Sequence, residues 1–233
     1  MAISTRTEMI AMPDGGEMAA YLAIPESGSG PGMVVVMEIF GVGDYIRGAA
    51  DRLAESGYVA LAPDLYRRTQ PGAEFGDDLE RAGAAVRELD MAGAIDDAAV
   101  ALRHLRSLPE CAGPAGVLGF CLGGTLAFGV AQAADPAVAV CYYGSGVPEM
   151  LDEAERIACP VLMHWGGEDP YIPLEQAQRA CRAAEARAGW QCHIHPDGGH
   201  AFDNWTNPMF SRPEPAARAW EQTRAFLAST LTT

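Results

Sequence analysis

A chain of 233 residues with 31 acidic against 16 basic side chains carries a formal charge of -15, and a field of that sign argues against nucleic acid and anionic membrane surfaces as partners. With 49% hydrophobic and 20% charged residues it can bury a substantial core, and its length fits one α/β domain over residues 1–233. No run approaches the ~20 apolar residues of a bilayer span, and Met1 to Arg6 lacks the apolar core of a signal peptide, so the expected location is the cytoplasm.

Short apolar runs alternate with helical patterns along the chain. Strands are expected at Glu17 to Ile24, Met33 to Met37, Val59 to Ala62, Ala115 to Gly119, Ala137 to Tyr142, Val161 to His164 and Cys192 to His195. Helices are expected at Arg47 to Ser56, Asp77 to Leu108 with a break, Gly124 to Ala134, Leu174 to Ala188 and Glu214 to Leu231. Gly57 and Gly189 follow two of these, where glycine accepts the left-handed conformation of a helix cap. The alternation predicts an α/β fold with a doubly wound, mostly parallel sheet flanked by helices.

The six cysteines, Cys111, Cys121, Cys141, Cys159, Cys181 and Cys192, contain no C-x-x-C pair, so neither a disulfide framework nor a zinc site is expected and reduced thiols are the simpler reading. His193 and His195 alternate on one strand face without a third ligand at useful spacing, so no metal is expected there. His104 lies among the leucines of a helix and reads as a surface or packing residue.

One cysteine stands apart. Gly119-Phe120-Cys121-Leu122-Gly123-Gly124 joins an apolar strand to a small-residue helix, the form of a nucleophile elbow with cysteine in the serine position. A small buried cysteine at a tightly packed strand end gives the same string, so the rest of the chain has to decide. A nucleophile needs a base and the base an orienting acid. His200 sits on a glycine-rich loop after the last expected strand, and Glu168 and Asp169 sit on the loop after the preceding one, in the order nucleophile, acid, histidine. Spacing does not choose between the two acids.

Six segments in register resemble the dienelactone hydrolase family of cysteine-dependent α/β-hydrolases: Met37 to Val42, Ala62 to Tyr66, Gly119 to Gly124, Tyr142 to Gly144, Gly166 to Asp169 and Gly199 to Phe202. The resemblance implies an α/β-hydrolase fold and a triad of Cys121, Asp169 and His200. It implies that Glu38 holds the resting thiol away from the histidine and accepts its proton, a carboxylate near sulfur disfavouring a second negative charge. Backbone N–H groups of Leu122 and Ile39 are then the expected oxyanion donors. The substrate expected is a small lactone or ester, opened through a thioester, with no metal or organic cofactor. A general carboxylesterase or acyl transferase, a noncatalytic ligand-binding relative and a thiol redox sensor are the alternatives.

The chain departs from the family pattern where founding members hold a substrate carboxylate with two arginines. Asn204 stands at the position of one, and Arg81 lies only in the region of the other. An asparagine cannot replace the bidentate charge of a guanidinium, which points to a neutral or differently charged substrate. Phe40, Tyr66, Tyr142, Trp165, Phe202 and Trp205 lie near the motif segments and are candidates for lining a pocket, with ordinary core packing as the alternative.

Overall fold

The computed structural model describes residues 2–231. Its elements in chain order are β1 (Ser4–Ala11), β2 (Glu17–Ile24), β3 (Gly30–Val36), α1 (Asp44–Glu55), β4 (Val59–Pro63), α2 (Leu79–Glu88), α3 (Met91–Ser107), β5 (Cys111–Phe120) and α4 (Leu122–Ala133). There follow β6 (Ala139–Tyr142), the short α5 (Val147–Met150) running into a 3-10 turn, β7 (Val161–Gly166), α6 (Leu174–Glu185), β8 (Trp190–His195) and α7 (Pro213–Thr230). The strands form an eight-stranded sheet in the order β1-β2-β4-β3-β5-β6-β7-β8, parallel from β4 to β8 and antiparallel at β1 and β2.

The buried strands read as continuous apolar runs because both sheet faces are covered: every residue of β4, β6 and β7 is buried. The expected break in the long helical stretch falls at Leu89 and Asp90, where the Asp90 carboxylate accepts the Ala92 N–H at 3.2 Å and caps α3. Asp78 caps α2 in the same way through Arg81 N–H. Gly57 and Gly189 adopt φ of 94° and 81°, the left-handed conformation expected of them.

The sequence reading has no counterpart for β1. This strand pairs with β2 along its whole length, yet most of its residues are exposed and Arg6 and Glu8 interrupt any apolar alternation. Charges of this kind protect an edge strand from further pairing and also erase the periodicity by which strands are recognised.

The expectation of six reduced thiols is corrected by a disulfide between Cys181 of α6 and Cys192 of β8, their Cα atoms 5.0 Å apart. The two lie 11 residues apart in no recognisable motif, and only the packing of α6 on β8 brings them together. Cys111, Cys121, Cys141 and Cys159 are free. Titration of thiols in denaturant is therefore expected to count four before reduction and six after. Reduction should lower stability to urea by about 2–3 kcal/mol, the scale for closing a short loop; six thiols without reductant would exclude the bond.

Candidate active site

The strand order reverses at β3, whose neighbours β4 and β5 lie on opposite sides. Crevices outside the carboxyl ends of strands at such a reversal are the usual ligand sites of open α/β sheets. Four expected residues occur there: Glu38 just beyond β3, Cys121 at the end of β5, Asp169 beyond β7 and His200 beyond β8.

Cys121 occupies the turn between β5 and α4 with φ of 55°, a backbone conformation that side chains rarely adopt. Glycine is required on both sides of it. A Cβ on Gly123 would collide with the carbonyl oxygen of Val36 in β3, and one on Gly119 with that of Gly123. The three non-glycine residues with positive φ among the described residues are Cys121, Tyr143 and Ala201, the last next to His200. Backbone strain is thus concentrated around one centre.

The side chains meet in a continuous chain. Cys121 Sγ lies 3.1 Å from His200 Nε2, and His200 Nδ1 lies 2.8 Å from Asp169 Oδ2. The other Asp169 oxygen accepts the N–H groups of Tyr171 and Ile172, which fixes the carboxylate towards the histidine. Glu168, the other acid left open by spacing, is exposed and lines the cavity over His200 without a hydrogen bond to the ring. Burial works against charge on His200, but the hydrogen bonds and charges of Asp169 and Cys121 outweigh it and raise the imidazole to about 10. That is the electrostatics of an imidazolium facing sulfur and carboxylate.

Glu38 is 2% exposed and makes no hydrogen bond to the thiol. Its Oε1 accepts from Asn204 Nδ2 at 2.8 Å, while Oε2 is buried without a partner among the described residues. Burial pushes this carboxyl up to about 8, against a lowering by His200 and Asn204 and with a further rise from Asp203. The N–H groups of Leu122, at the start of α4, and of Ile39 make no hydrogen bond to other described residues. Tyr66 donates its hydroxyl to the Ile39 carbonyl at 2.8 Å and so orients that segment.

The candidate pocket residues divide. Tyr142, Trp165 and Phe202 are fully buried in the core, with the Tyr142 hydroxyl on Thr223. Phe40 lines a cavity of about 300 Å³ that Glu38 also lines, and its ring lies 6.5 Å from that of Phe210. Phe210, with Tyr171, Met209 and Arg212, forms a second cavity of about 280 Å³ over His200. These four carried no motif, and only their return to the sheet edge brings them to the histidine. Trp205 is partly exposed and packs on Tyr45 and Arg52. Arg81 is exposed, over the ring of Phe75. A third cavity, about 350 Å³, is lined by none of the triad residues.

His193 and His195 do not stand alone. His164 of β7 stacks on His193 and lies 3.2 Å from His195 through its Nδ1, while its Nε2 meets Thr223. Burial lowers all three, His195 to about 4 and His164 well below its ordinary range, so the cluster is neutral packing beneath α7. His104 pairs with Glu8 of the edge strand.

The sequence pattern of the Dienelactone hydrolase family matches residues 18–231. The chain belongs to that family. A carboxymethylenebutenolidase of Pseudomonas sp. strain P51 is 36% identical over 217 residues, covering 91% of this chain and 90% of that enzyme, and one of Pseudomonas putida is 33% identical over 92% of each. The crystal structure of a putative dienelactone hydrolase from Klebsiella pneumoniae superposes with a TM-score of 0.86 at 28% identity, covering 98% of this chain and 99% of that one. The chain is therefore a hydrolase of the dienelactone hydrolase type, built on the α/β fold expected.

The buried Glu38 ties stability to pH. The folded chain retains to about pH 8 a proton that the unfolded chain releases near the ordinary value of 4.5, so stability from this group falls as pH rises between those values and then levels off. Glu38→Gln removes the dependence and keeps the acceptor for Asn204. The variant is expected to exceed the parent by roughly 3 kcal/mol at neutral pH in urea denaturation, on the scale of 1.36 kcal/mol per pKa unit, with the gap closing towards pH 4.5. A gap independent of pH would contradict the assignment.

Proposed function

We propose that the chain, acting as one domain, hydrolyses small lactones or esters through a thioester on Cys121. The observation that carries this reading is the unbroken line of hydrogen bonds from Asp169 through His200 to Cys121 at the elbow. The thiolate attacks the carbonyl carbon, and the N–H groups of Leu122 and Ile39 receive the developing oxyanion. Collapse breaks the C–O bond, and the His200 imidazolium gives its proton to the departing alkoxide. The neutral imidazole then takes a proton from water, hydroxide attacks the thioester, and the thiolate leaves with the imidazolium restored. Asp169 orients the ring throughout. No metal or organic cofactor enters these steps.

Glu38 completes the proposal as acceptor of the thiol proton. When the proton passes from sulfur to Glu38, thiol, imidazolium and carboxylate become thiolate, imidazolium and acid, and burial favours the acid. The names of the Pseudomonas relatives support lactone opening. The expected substrate is uncharged, since Asn204 is committed to Glu38 and is unavailable to an anion.

Cys121→Ala is expected to lower hydrolysis of small lactones and aryl esters by at least ~1,000-fold, the scale for removal of a covalent nucleophile. Its urea midpoint should hardly move, since the thiol is small. Mass spectrometry of the quenched wild type should show an acyl group on Cys121. Turnover retained in the variant would overturn the reading.

A further inference from the structure

The loop that carries His200 continues into an asparagine whose orientation is fixed. Asn204 Oδ1 accepts from the N–H groups of Thr206 at 3.0 Å and Asn207 at 3.2 Å, and from the Thr206 hydroxyl at 2.8 Å. With three donors on the oxygen, the amide nitrogen must face the other way, and there it donates to Glu38 Oε1 at 2.8 Å. The pair is buried, and Glu38 Oε2 has no partner among the described residues. A carboxylate in that setting has one neutral donor and a bare oxygen, which is costly; an acid places a proton on the bare oxygen.

The groups around Glu38 favour the acid. The same loop brings Asp203, whose charge opposes a second one, although Arg52 of α1 pairs with it at 2.8 Å. Tyr45 of α1 and Tyr143 beyond β6 present phenols, and the Tyr45 hydroxyl donates to Asp203. His200 is the opposing cation, and it is engaged by Asp169 and Cys121. Across the adjoining cavity lie Asp44, Glu74 and Asp77. The thiol, for its part, lies 3.1 Å from His200 Nε2.

We propose that Asn204 is a positioning residue that holds Glu38 off the thiol, in a seat where burial keeps it an uncharged acid, so that the free enzyme already carries the Cys121 thiolate on the His200 imidazolium. This rests on the reading of Cys121 as nucleophile and concerns the site before substrate arrives. The sulfur reacts with an uncharged ester on contact, and no substrate charge is needed to assemble it.

Infrared difference spectra of the free enzyme test it, wild type against Glu38→Gln. The C=O stretch of a protonated carboxylic acid is expected at neutral pH in the wild type, absent from Glu38→Gln and titrating with a midpoint near 8. The ultraviolet absorbance of a thiolate, absent from Cys121→Ala, is expected at the same neutral pH. Asn204→Leu removes the only donor to the carboxylate among the described residues and should move the midpoint up by about one unit. Should that variant not fold, Asn204→Asp keeps the oxygen that the turn requires while removing the donor, and should shift the midpoint the same way. A missing acid band, a protonated thiol at neutral pH, or a midpoint indifferent to residue 204 would each overturn the proposal. Neither readout involves turnover, so Cys121-dependent hydrolysis without the acid band fails this proposal alone, and an acid band without such hydrolysis fails the hydrolase reading alone.

Discussion

The rest of the site depends on how closely α4 approaches the sheet. The helix begins immediately after Cys121, and its first turn lies against the carbonyls of β3 because Gly123 has no side chain to hold it off. Gly119 allows the same closeness on the strand side. The cost is the strained backbone at Cys121, and the packing of α4 against β5 and β6 maintains it. From this contact follow the outward thiol, the free Leu122 N–H beside it and the position of Glu38 at the end of the neighbouring strand. A larger residue at either glycine would displace all of them together.

Around that turn the distribution of buried charge decides the chemistry. Asp169 and Asp203 are both enclosed, but each has a cation of its own, His200 for the first and Arg52 for the second. Arg52 is held between the rings of Trp205 and Trp220, so it cannot turn to a third acid. Glu38 is left with a neutral amide, and burial without a paired cation is what drives a carboxyl to its uncharged form. In a molecule of strongly acidic composition, burial thereby raises the carboxyl of Glu38 well above the ordinary carboxylate range.

How far this was legible in the sequence varied with the range of the interactions. Seven of the eight strands follow from apolar runs, most plainly β4, β6 and β7, which are covered on both faces; β1 does not, being mostly exposed. The elbow was legible because strand, turn and helix are consecutive, and the glycines it needs lie within a few residues of the thiol. Spacing narrows the acid only to Glu168 or Asp169, and the resemblance to a family singles out Asp169. The Asp169 carboxylate is the one that accepts its own loop's N–H groups and meets His200.

The α/β order of elements, the elbow and the succession of cysteine, acid and histidine are all patterns within short stretches of chain, and so are legible without the fold. Tertiary structure alone decided the partner of Glu38, 166 residues away at Asn204, the bond between Cys181 and Cys192, and the side chains that wall the cavity over His200. Such contacts join segments that only the closed sheet and its packed helices bring together. They impose no period on the sequence, because a pairing between distant segments constrains two residues and leaves their neighbours free.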